Sequence, residues 1–255
     1  MPNKRHAASI GRHRRKRLEH RTAEGLKVDV VYGPEVGDGV VQAPLDEVLA
    51  ALTAHGDALD WEHVSSNVLP VFPRVRPFPG VVPDPVRTLV APGMLVGFGI
   101  DIGPAFMNVT EELLATWKIS IGDLTASAIS NVHRRAATIE RSHIHRGDIG
   151  EYPTEWLQSD VSVGSALVLA PTELRRLFGG PRFFITPMRD LIIGFPSDVQ
   201  REAAHWLYHE VAELDPNCLG PMGYVFDGSR VIPEPLEGGG PVQRHPSSAL
   251  EPFVA

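Results

Sequence analysis

A single cysteine, Cys218, stands in the 255 residues. One thiol cannot close a disulfide within the chain, so a disulfide-stapled extracellular scaffold is excluded and a reducing, cytoplasmic setting is expected. Long apolar runs are also missing. The stretches 165–170 and 191–195 stop after a handful of residues, where about 20 are needed to cross a bilayer, so no membrane association is expected. The basic stretch 1–21 does not lead into the apolar segment and small-residue cleavage site of a secretory signal. Gly97-Phe-Gly99 lacks the third glycine and following helix of a dinucleotide site. Gly99 to Ala105 has the look of an Asp-Gly phosphate loop, but Pro104 removes an amide that a phosphate would use.

What is present is ordinary globular composition, 43% hydrophobic and 22% charged, well clear of the polar regime in which a chain stays unfolded. Charge is unevenly placed. Residues 1–21 hold eight Lys and Arg against Glu19, about +7 on a chain whose total is −7. We therefore expect residues 1–25 to form a loose basic arm, one that could meet nucleic-acid phosphates through residues 1–21.

Residues 26–92 read as a small α+β region. Lys27 to Tyr32 alternates like a strand, Pro44 to Leu52 repeats like a short amphipathic helix, and prolines recur from Pro70 to Pro92 as an extended connector. Residues 93–233 read as the main α+β domain, and 234–255 as a flexible tail. In the main domain, Met94 to Ile102 is strand-like and Thr110 opens a helix with Glu111 and Glu112 in its first turn. Ser120 and Asp123 form a capping box ahead of a helix with Ile121, Leu124, Ala128, Val132, Ala136 and Ile139 on one stripe. Asn131 falls near that stripe and must be hydrogen-bonded if buried.

From 161 onward the pattern reads β-α-β-β-α-β-β: strand 166–169, helix 171–178, strand 182–186, a turn at 187–190, strand 191–195, a helix from a Ser197/Gln200 cap to Leu214, and a hairpin about Asp227-Gly228. The short connection between 186 and 191 makes that pair antiparallel. The expected class is α+β, a mixed or antiparallel sheet with helices packed on it.

The stretch 119–233, through its Asn131 helix, the Ser165-Ala-Leu-Val-Leu169 segment and the Pro187-Met-Arg-Asp-Leu-Ile-Ile193 hairpin, resembles the bacterial DUF1444 (YtpQ-like) proteins. The resemblance implies no activity, because that family has no established one.

Candidate functional residues fall in three groups. Arg189 and Asp190 sit in a tight turn, where Arg189 would present a planar fork to an anionic ligand or an acidic partner, with Asn131 as a further ligand-binding candidate. His205 and His209, four apart on a helix and flanked by Glu202 and Glu213, have metal-chelating spacing but lack the intervening Glu of zinc proteases. Projected at 100° per residue, they fall away from the apolar side of that helix. A third zinc ligand would come from His143 or His145, which alternation puts on one face of a strand. The leading reading is a non-enzymatic binding or protein-interaction module without a cofactor. A zinc-dependent hydrolase built on these histidines and nucleic-acid association through the arm are the alternatives.

Overall fold

A computed structural model describes residues 17–21, 27–31, 59–74, 84–102, 106–149, 152–159, 161–214 and 218–236, the first two segments and 212–214 for the backbone alone. The predicted helix at 44–52 lies outside the described residues. The chain falls into two compact units, 1–57 and 58–255. In the first, β1 (Arg17–Arg21) pairs antiparallel with β2 (Lys27–Val31). Part of the expected loose arm is thus strand. Residues 59–74 and 84–92, expected to belong to an N-terminal region, are instead part of the second unit.

The second unit is α+β, and all its strand pairs are antiparallel. It opens with the single helical turn α1 (Trp61–Val64) and a 3-10 turn (Ser65–Asn67). A small sheet centres on β5 (Met94–Asp101). One edge of β5 pairs with β3 (Val68–Val71), the other with β4 (Arg87–Ala91) and then β6 (Phe106–Asn108). Helix α2 (Glu111–Trp117) follows Thr110, whose side chain accepts a hydrogen bond from the Leu113 amide. Helix α3 (Ile121–Ala136) starts on the predicted capping box, with the Asp123 amide donating to Ser120 and the Ser120 amide donating back to Asp123, both at 3.1 Å. Leu124, Ala128, Val132, Ala136 and Ile139 are buried as the stripe requires, Ile121 at its start is exposed, and α3 packs on β3.

The large sheet runs β12-β11-β9-β10-β8-β7, built from β7 (His145–Ile149), β8 (Tyr152–Gln158), β9 (Arg182–Met188), β10 (Leu191–Pro196), β11 (Met222–Phe226) and β12 (Val231–Pro235). Residues 183–187 are all buried because both faces are covered. On one face Phe183, Ile185, Ile193 and Phe195 pack with Val199, Ala204, Leu207 and Tyr208, the last three from α5 (Arg201–Leu214). On the other, Phe184 meets Phe178 of α4 (Pro171–Phe178) at 5.0 Å and Phe226 at 6.3 Å between ring centroids.

Three local expectations are corrected. Residues 165–169, predicted as strand, form a 3-10 helix, with the Leu167 amide bonded to Val163 and the Ala170 amide to Leu167. Ser165 to Val168 are all buried, and a short, fully buried apolar run has no periodicity to separate helix from strand. The C-terminal order is therefore 3-10 turn, then α-β-β-α-β-β as expected. Helix α5 begins at Arg201, not at a Ser197 cap, because the Val199 amide first closes a turn on Pro196 and Val199 is buried in the core. Strand β12 runs through Pro233 to Pro235 and Leu236 is buried, so residues 234–236, expected in a flexible tail, belong to the sheet and core, and 237–255 lie outside the described residues. An edge strand is where proline is tolerated in a sheet.

Candidate functional site

The tip of the β9–β10 hairpin is the best-defined site. Met188 pairs with Leu191, leaving Arg189 and Asp190 as a two-residue loop, tighter than the four-residue connection expected. Ser159 and residues 161–165 flank this tip. The Ser159 amide donates to the Asp190 carbonyl and the Ser165 amide to the Arg189 carbonyl, both at 2.8 Å. Gly164 passes so close that a Cβ there would lie 2.1 Å from the Asp190 carbonyl oxygen. The tip is thereby fixed by backbone contacts.

Fixing the backbone fixes where Arg189 reaches. Its guanidinium carbon lies 3.9 Å from the centroid of the Phe106 ring, a cation-π stack. The Phe106 ring in turn lies over Gly99 of β5, where a Cβ would come within 2.9 Å of it. A glycine at 99 thus makes the platform on which Arg189 rests. Arg189 Nε is fully buried and has no hydrogen-bond partner. Burial pulls the Arg189 pKa below the ordinary guanidinium value, a pull that nearby Asp101 and Asp190 oppose and Arg74 reinforces. Asp101 is already engaged, since it forms an ion pair with Arg135, which also donates to Val161 O at 3.2 Å and Asn67 Oδ1 at 3.3 Å. Among the described residues Arg189 thus lies in the fields of Asp101, Asp190 and Arg74, with its buried Nε unsatisfied.

Asn131 does not join this site. It is buried, and its Nδ2 donates to the carbonyls of Ser65 at 2.7 Å and Val68 at 2.9 Å, while its Oδ1 accepts from Arg134 at 3.1 Å. Both of its amide protons clamp α3 onto the segment leading into β3, a structural role in place of the ligand-binding one read from the sequence.

The histidines separate into two places. His143 ends a 3-10 turn (Arg141–His143), where its Nδ1 accepts from the Glu140 amide at 3.4 Å, and His145 starts β7 and stacks on Trp156 at 5.6 Å. They do not share a strand face, because the chain turns between them. His205 and His209 do converge, with their Nε2 atoms 2.7 Å apart. His205, expected on the wet side of its helix, is 7% exposed and His209 is exposed. The apolar side of α5 is centred on Ala204, Leu207 and Tyr208, with His205 beside it, while Ala203 and Trp206 are only half-buried. Burial lowers the His205 pKa, His209 adds to this, and Glu202 opposes it. The side chain of Glu213 lies outside the described residues. Among the described residues no group of three His, Cys, Asp or Glu side chains is placed to hold a metal ion.

A shallow cleft of about 460 Å³ lies between β7, β8 and β9, lined by Arg146, Asp148, Thr154, Glu155 and Arg182 among others. Both of its arginines are engaged by one carboxylate, since Glu155 pairs with Arg146 at 2.9 Å and with Arg182 at 2.8 Å. The Arg189 tip and the Phe106 platform were only half legible: the turn was readable, while the aromatic partner 83 positions upstream carries no local signal.

No protein family, curated protein or solved structure matches the chain. Among the described residues no helix is long and apolar enough to cross a membrane.

Proposed function

We propose that the protein is a non-enzymatic binding module that takes an anionic group, a carboxylate or phosphate on a ligand or partner, at the Arg189 tip. One observation carries the reading: a rigidly held guanidinium, stacked on Phe106, whose buried Nε has no hydrogen-bond partner. The buried Nε shows that the guanidinium is not saturated by the protein, and an anion that reaches its Nη atoms would form charge-assisted hydrogen bonds there. The cytoplasmic setting and the likeness to the DUF1444 proteins belong to this reading as proposals, the former supported by a lone, buried Cys218. Nucleic-acid association rests on the charge of residues 1–21 alone.

The test is titration of the full chain with inorganic phosphate, acetate and citrate, followed by calorimetry. Saturable binding of at least one anion is expected, reduced tenfold or more in Arg189→Met and partly restored in Arg189→Lys, which keeps the charge but not the planar stack. Equal binding by Arg189→Met and the native chain would sink the proposal.

A further inference from the structure

The second place where reactive groups converge lies on α5, apart from the Arg189 tip. His205 and His209 are one helical turn apart and so share a face. Their Nε2 atoms approach to 2.7 Å with the rings at 89° and centroids 4.2 Å apart. A hydrogen bond at that distance needs a proton on one of the two Nε2 atoms. When that proton moves to the Nδ1 of the same ring, both neutral imidazoles present an Nε2 lone pair to an arriving ion. A zinc-like ion at 2.0–2.1 Å from each nitrogen would hold the two about 2.9 Å apart at a right angle and about 3.3 Å apart at the tetrahedral angle. The rings therefore need to open by only a few tenths of an ångström.

Both rings are also held. His205 is buried beside Ala204 and Tyr208, and His209 packs edge-on against Tyr208 with centroids 5.5 Å apart. We propose that His205 and His209 bind one divalent transition-metal ion of the zinc, nickel or copper class through their Nε2 atoms. Imidazole nitrogen selects that class over calcium and magnesium, which take oxygen ligands. Water completes the coordination, since among the described residues no third side chain is placed to do so.

The ion is exchangeable. Binding through Nε2 puts the remaining proton of His205 on Nδ1, which is buried without a hydrogen-bond partner, whereas firmly held metals have ligand histidines whose second nitrogen donates to an acceptor. The site is an ion-sensing or ion-borrowing one, distinct from the hydrolytic centre that three protein ligands would make.

The full chain, stripped of metal, is titrated with Zn²⁺ by calorimetry and with Cu²⁺ by electron paramagnetic resonance. The native chain is expected to bind one ion saturably, with a copper spectrum showing two equivalent nitrogens. His209→Ala, at an exposed position that leaves the core intact, should weaken binding tenfold or more and leave one nitrogen. His143→Ala and Arg189→Met should bind as the native chain does. No saturable binding, or undiminished binding by His209→Ala, overturns the proposal; undiminished binding would assign the metal to scattered surface histidines.

Discussion

Replacing Asn131 with alanine separates a structural clamp from a ligand-binding residue. The native side chain donates to the Ser65 carbonyl, which lies near solvent, and to the Val68 carbonyl, which is buried. Water can replace the donor at Ser65, so that loss amounts to one ordinary hydrogen bond, about 0.5–1.5 kcal/mol. Water does not reach Val68, where a dry acceptor costs about 1–3 kcal/mol. The two together predict a loss of about 1.5–4.5 kcal/mol. For a unit of this size each kcal/mol lowers Tm by roughly 2–4 °C, so scanning calorimetry should show a fall of about 3–18 °C. Asn131→Asp has the same shape but turns an acceptor toward two carbonyl oxygens, so it should be worse than alanine. Urea titration of both variants, with phosphate binding measured alongside, decides the matter. A change in stability under about 0.5 kcal/mol, or loss of anion binding in a variant of native stability, would refute the clamp.

Two further outcomes follow from the same packing. Tyr208 and Tyr224 have phenol pKa values raised by burial, with Cys218 adding to the rise at Tyr208 and a Thr186 hydrogen bond opposing it at Tyr224. Above pH 10 the unfolded chain therefore loses these protons while the folded one keeps them. Between pH 10 and 11 stability should fall by about 1 kcal/mol for each phenol; urea titrations over that range should show the contribution of one phenol removed in Tyr224→Phe. Gly164→Ala puts a Cβ against the Asp190 carbonyl, a backbone atom that cannot rotate away. Its Tm should drop by more than that of the Asn131→Ala variant, and a native-like Tm would show that the hairpin tip is free to shift.

What the sequence disclosed depended on whether a segment had one wet side. Helix α3 was readable from Ser120 onward because its cap and its buried stripe are both local and half of the helix faces water. The antiparallel β9–β10 pair was readable because a short connection leaves the chain no other geometry. The 165–169 segment was not, since burial on every side erases the alternation that tells strand from helix. His205 was misread for a related reason. A polar residue counts toward the wet face in any projection, and only the packing of Ala204, Leu207 and Tyr208 reveals that the apolar side of α5 includes it. The Arg189 site was partly hidden because its platform, Phe106 over Gly99, comes from another sheet.

The wrapping of the β9–β10 tip bears on how the chain tolerates change. Hairpin loops are ordinarily where a fold accepts insertions and where proteases cut first. Here both loop carbonyls are hydrogen-bonded to the amides of Ser159 and Ser165, and Gly164 leaves no room beside Asp190. An insertion between Arg189 and Asp190 would lengthen more than a surface connection, because it would unseat the crossing segment and carry Arg189 off its aromatic support. This two-residue loop is therefore subject to the constraints of an interior position, and relatives of the chain should vary in length almost anywhere else before they vary there.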